Sequence, residues 1–152
     1  MKKITVGKYA GFCFGVSRAV NSVTSLVDRK EPEEKIYTLG ELVHNPHVVK
    51  ELERKGVTCI GENDIDRIFA DARNGIPSTV VLRAHGTTKE VSCRLSEYSS
   101  RCKNFRIIDC TCPYVKKIHD IVMTRTEHGE TLLVIGDPQH PEVKGIVSYA
   151  HG

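Results

Sequence analysis

The chain has 152 residues, 39% hydrophobic and 27% charged, with a formal net charge of +3 at pH 7. That is one ordinary domain or two small lobes, long enough to fold without disulfide staples. Its longest aliphatic run, residues 132–135, falls far short of the ~20 residues of a membrane span. No apolar signal core follows Met1-Lys2-Lys3, and the basic doublets are scattered, so membrane, secreted, disordered and nucleic-acid-binding classes are set aside and a cytoplasmic protein is expected.

Residues 3–6 read as a short strand ending at Gly7, followed by a glycine-flanked cysteine in Gly11-Phe12-Cys13-Phe14-Gly15. A helix is predicted from Ser17 to Arg29, with Val16, Ala19, Val20, Val23, Leu26 and Val27 on one face and Ser17 as its N-cap. Strands follow at 36–39 and 57–60, separated by a helix that Asn45-Pro46 opens and Gly56 closes. A helix over 64–74 leads to the β-branched run 79–82, then Arg83-Ala84-His85-Gly86 and a helix from Thr87 to Arg101. Residues 105–108 form the next strand. Asp109-Cys110-Thr111-Cys112-Pro113 precedes a helix to Glu127, with Val115, Ile118, Ile121 and Val122 turned inward. Residues 131–135 read as a last strand, followed by a His140-Pro141-Glu142 loop and a short helix. This alternation predicts an α/β protein: small parallel sheets flanked by helices. A lobe boundary is expected near residues 103–109, giving a first lobe over 1–107 and an incomplete second lobe over 108–152.

In parallel α/β sheets ligands bind beyond the carboxyl ends of the strands, where helix N-termini point inward. Taking only the segments after each strand, Cys13, His44, His85, Cys110 with Cys112, and His140 with Glu142 collect on one rim. Cys13 is either a small buried hydrophobe at a tight turn or a ligand that its flanking glycines leave room for. Of Cys110 and Cys112, one residue apart in an extended segment, only one faces the rim easily, and Cys112 at the helix start is the better candidate. Cys59, Cys93 and Cys102 read as structural. The imidazoles of His44, His85 and His140, with Thr87 and Thr88 at a helix start, suit a phosphate. His47, His119, His128 and His151 are expected at the surface. Glu142 is either a proton donor or a first-turn acid that the helix dipole favours.

The segments 11–19, Glu41-Leu42-Val43-His44-Asn45, Arg83-Ala84-His85-Gly86, 109–113 and 140–145 together resemble the 4-hydroxy-3-methylbut-2-enyl diphosphate reductase family, from residue 4 to about 149 and in the family's order. The resemblance implies a three-lobed α/β fold, of which this chain carries the first lobe and part of the second. It implies a [4Fe–4S] cluster held by three cysteines, with Cys13 and Cys112 as two of them and the third absent from this chain. His44, His85 and His140 become substrate-binding residues around the diphosphate, and Glu142 the catalytic acid. Ferredoxin or flavodoxin supplies the electrons, and the reaction is the reductive dehydroxylation of the allylic diphosphate to isopentenyl and dimethylallyl diphosphates in the non-mevalonate route to isoprenoids. With one thiolate missing, the chain alone is expected to be inactive. Other readings of the same residues are a zinc-dependent hydrolase using Cys13, Cys112 and rim histidines, a thiol redox protein using Cys110 and Cys112, and a noncatalytic diphosphate-binding fragment.

Overall fold

The computed structural model describes residues 3–8 and 10–151. Among the described residues six α-helices and four strands follow in the order α1 (Phe14–Val27), β1 (Lys35–Leu39), α2 (Pro46–Arg54), β2 (Val57–Ile60), α3 (Ile65–Arg73), β3 (Ser78–Leu82), α4 (Lys89–Arg101), β4 (Phe105–Asp109), α5 (Pro113–Glu127) and α6 (Pro141–Ser148). The strands form one sheet in the order β2-β1-β3-β4, and every pairing is parallel.

Successive strand residues face opposite sides of the sheet, and both sides are apolar. Tyr37, Leu39, Val80 and Leu82 pack under α3 and α4 against Ile65, Ile68, Phe69, Val91 and Leu95. Ile36 and Val81 face the other way, against Ala19 and Val23 of α1, Leu52 of α2, and Cys110. All six residues predicted for the inner face of α1 belong to this second core. At the amino ends of the strands, buried Glu34 accepts hydrogen bonds from Thr79 Oγ1 at 2.6 Å and from Arg106 at 2.5 Å. Burial alone raises the Glu34 pKa, but these two donors outweigh it and hold the carboxyl below its ordinary value.

The structure departs from the sequence expectations at several points. Helix α1 starts at Phe14, so its N-cap is Cys13 rather than Ser17. Residues 3–6 and 131–135 are not strands. Both runs have strand composition, but neither has a backbone hydrogen bond to another described residue, and a strand needs a neighbour. Ile4 is 89% exposed and Ile135 92%. On α5, Ile118 and Ile121 face outward, while the buried stripe is Val115, His119, Val122 and Thr126. His119 is therefore buried, not at the surface. Cys59 and Cys93 are exposed, and Cys102 packs beside the α3/α4 core. The sheet runs through Asp109 in β4. Among the described residues no helix is long and apolar enough to cross a membrane.

Leu95 is fully buried between α4 and the sheet. Leu95→Ala is expected to lower the free energy of unfolding by ~2–5 kcal/mol, measured by urea titration followed by circular dichroism.

Candidate functional site

Beyond the strand ends, backbone bonds carry the sheet a little further. Cys110 N–H donates to the Leu82 carbonyl at 3.1 Å, Cys112 N–H to the Ala84 carbonyl at 2.8 Å, and Ala84 N–H to the Leu42 carbonyl at 3.4 Å. The loops after β1, β3 and β4 are thereby tied side by side, and the residues they carry come together. The ring centroids of His44 and His85 lie 4.4 Å apart, and His140 is 5.9 Å from each.

Helix starts supply the rest. Asn45 Oδ1 accepts from His47 N–H at 3.0 Å and Val48 N–H at 3.3 Å, capping α2 next to His44. Thr88 Oγ1 caps α4 by accepting from Val91 N–H at 3.4 Å. His140 is the N-cap of α6, its Nδ1 accepting from Glu142 N–H at 3.2 Å. An imidazole that accepts this bond when neutral carries its proton on Nε2 and has one N–H donor to offer. Glu142 sits half-buried in the first turn of α6, two residues past His140.

The two rim cysteines are also N-caps, Cys13 of α1 and Cys112 of α5. A Cβ added to Gly15 would lie 2.8 Å from Cys112 Sγ, so the first turn of α1, two residues past Cys13, packs directly on that sulfur. Glycine is required there for space. Arg18 reinforces the approach by donating from its guanidinium to the Thr111 carbonyl at 2.5 Å. Cys13 is exposed and Cys112 half-buried, whereas Cys110 points into the core. Burial chiefly pushes the Cys110 thiol pKa up, so it stays a thiol and packs as a small hydrophobe. Among the described residues no three His, Cys, Asp or Glu side chains converge on a common metal position. An iron–sulfur cluster is usually anchored by four thiolates and a zinc centre by three or four ligands. The residues present therefore make up neither site by themselves.

A cavity of about 220 Å³ opens beside the imidazoles, lined by Phe12, Val16, Val43, His44, Asn45 and His85. One wall is apolar and the other carries nitrogen donors. A groove of about 370 Å³ lies at the opposite end of the sheet around Arg29, Glu34 and Arg106, with no imidazole or thiol in its lining. Desolvation, and then the neighbouring His44, hold the His85 pKa below that of a free imidazole, although Glu142 acts the other way. Its Nδ1 is buried without a partner. Asp109 at the end of β4 is partly desolvated, but Lys116 at 2.6 Å and the Thr111 N–H at 2.8 Å keep its pKa low.

The helix N-termini of this parallel α/β layer carry imidazoles, a carboxyl and thiols on one rim. The chain belongs to the LytB protein family, which it matches over residues 4–152. It is 38% identical over 144 residues to a 4-hydroxy-3-methylbut-2-enyl diphosphate reductase of Thermoanaerobacter sp. (strain X514), covering 95% of this chain and 46% of that one. It is 41% identical over 150 residues to the reductase of the same name from Geobacter sulfurreducens, covering 99% and 47%. The chain thus spans less than half the length of these relatives. Among solved structures, the (E)-4-hydroxy-3-methyl-but-2-enyl diphosphate reductase described as the terminal enzyme of the non-mevalonate pathway superposes with a TM-score of 0.72 at 34% identity, covering 96% of this chain and 46% of that one. The corresponding Plasmodium falciparum reductase gives a TM-score of 0.76 at 29% identity, covering 94% and 40%.

Two desolvated imidazoles also set how stability responds to acid. His85 and buried His119 both have depressed pKa values in the folded state, chiefly through desolvation. Below the unfolded-state value of about 6.5 the unfolded chain takes up protons that the folded chain refuses, so stability falls. Glu34 and Asp109 also have lowered pKa values, but carboxylates lose their contribution only below about pH 4. The melting temperature is therefore expected to drop as the pH falls below about 6.5. The drop should be shallower in His85→Asn, measured by calorimetry.

Proposed function

We propose that this chain supplies the diphosphate-binding and proton-donating wall of a 4-hydroxy-3-methylbut-2-enyl diphosphate reductase. In this reading residues 1–107 form a first lobe and 108–152 the start of a second, and Cys13 and Cys112 are two of the thiolates of the family's [4Fe–4S] cluster. The observation that carries the proposal is the convergence of His44, His85 and His140, from three separate loops, to ring separations of 4.4–5.9 Å.

Three imidazoles at helix starts suit a diphosphate. Each offers N–H donors, and the first-turn amides of α2, α4 and α6 add partial positive charge. His85 is held neutral without a ligand, and an anion next to it reverses that preference, so binding draws protons into the cluster. The apolar wall of Phe12, Val16 and Val43 takes the five-carbon body of an allylic substrate. Reductive dehydroxylation consumes two electrons and two protons, breaks the allylic C–O bond, forms a C–H bond and releases water. In this reading Glu142, in the first turn of α6 and next but one to His140, holds a proton for the departing hydroxyl. The electrons come from ferredoxin or flavodoxin. With two rim thiolates and, among the described residues, no set of three ligands, the cluster of this reading needs at least one further ligand for turnover.

The test is binding of inorganic pyrophosphate followed by calorimetry. Affinity is expected to rise as the pH is lowered from about 8 to 6, because protonated imidazoles favour the anion. His85→Ala should weaken binding about tenfold, in keeping with the loss of one charge-assisted hydrogen bond. Pyrophosphate binding that ignores all three histidines would overturn the proposal. Anaerobic reconstitution of the chain alone is expected to yield neither a stable cluster nor reductase activity; a full complement of four irons with turnover would show that two thiolates suffice.

A further inference from the structure

His119 lies outside the imidazole cluster, yet it is 5% exposed. Its ring stacks on Tyr149 at 4.2 Å between centroids, with the planes 11° apart. It is also wedged between two glycines. A Cβ on Gly86 would come 3.1 Å from His119 Cε1, and a Cβ on Gly145 would come 3.5 Å from Nε2. Gly86 is the residue after His85 and takes a φ of 75°, a conformation that glycine adopts at little cost. Gly145 lies in α6, the helix that His140 caps and Glu142 opens.

One ring therefore touches both the loop that carries His85 and the helix that carries His140 and Glu142. Further bonds fix α6 against this wedge. Lys89 N–H at the start of α4 donates to Ser148 Oγ at 2.9 Å, and His151 N–H donates to Thr126 Oγ1 at 2.8 Å. The Tyr149 hydroxyl interacts with Ser92 of α4. His119 Nε2 has no hydrogen-bond partner. Core packing alone gives no reason to bury an unsatisfied imidazole, since an apolar side chain of similar size avoids the desolvation cost.

We infer that His119 is a positioning residue: its stack with Tyr149, clamped between Gly86 and Gly145, sets the separation between His85 and the His140–Glu142 turn. This rests on the reading of the cluster as a diphosphate site, because the separation matters to a ligand that both walls must grip. Displacing one wall by about 1 Å typically costs ten- to a hundredfold in function.

The test uses inorganic pyrophosphate and the histidine ring resonances of the whole chain. His119→Ala and Tyr149→Ala are each expected to raise the pyrophosphate Kd about tenfold, and the double variant no further than either single, as for residues acting through one contact. Tyr149→Phe keeps the stack and should stay within about threefold of the parent. In the two alanine variants the ring signals of His85 and His140 should shift even without ligand. Should His119→Ala fail to fold, Tyr149→Leu breaks the stack from its half-buried side and takes its place. Folded variants that melt lower while their Kd and the His85 and His140 signals stay put would reduce His119 to a packing residue and overturn the inference. A parent chain that does not bind pyrophosphate would defeat the diphosphate reading instead, and the ligand-free ring signals would still decide the positioning role.

Discussion

Everything at the site depends on one constraint: all four strands run in the same direction. A parallel sheet sends every strand end to one edge, and the helices that return the chain begin there. The N-caps of α1, α2, α4, α5 and α6 are Cys13, Asn45, Thr88, Cys112 and His140. Each helix start presents unpaired N–H groups and partial positive charge, so the residues capping it are the ones set to meet an anion. His44, His85 and Cys112 follow β1, β3 and β4 onto this rim, while Cys13 and His140 reach it at the starts of α1 and α6 with no strand before them.

The same directionality separates two kinds of polar chemistry. At the amino edge, Glu34, Thr79 and Arg106 satisfy one another, and the carboxylate is spent on holding the sheet together. At the carboxyl edge, His85 Nδ1 and His119 Nε2 are buried without partners, and their desolvation keeps both rings neutral. Unpartnered imidazole nitrogens thus lie at one end of the sheet and a closed polar network at the other.

Much of this was legible in the sequence. The β-branched runs at 36–39, 57–60, 79–82 and 105–108 all became strands, because each has a neighbour in register. Asn45-Pro46 announced its helix through capping chemistry, whereas the helix expected from Thr87 begins at Lys89 with Thr88 as its cap. The choice of Cys112 over Cys110 followed from alternation along an extended segment, and the structure turns Cys110 into the core accordingly. Residues 3–6 and 131–135 have the same composition as the true strands, but composition cannot say whether a partner stands alongside. His119 was missed because titratable side chains default to the surface. Its spacing with Val115, Val122 and Thr126 was the available signal, obscured by the equally apolar stripe of Ile118 and Ile121. The wedge it forms with Tyr149, Gly86 and Gly145 joins three segments that no local pattern relates.

The run after α5 has a consequence of its own. Residues 131–135 belong to no helix or strand, with Leu133 at 82% and Ile135 at 92% exposure, and their amides and carbonyls bond to no other described backbone group. Exposed backbone without such bonds is where proteolytic nicking concentrates. The chain is therefore held at two very different levels of protection, closed over the sheet and open along these five residues.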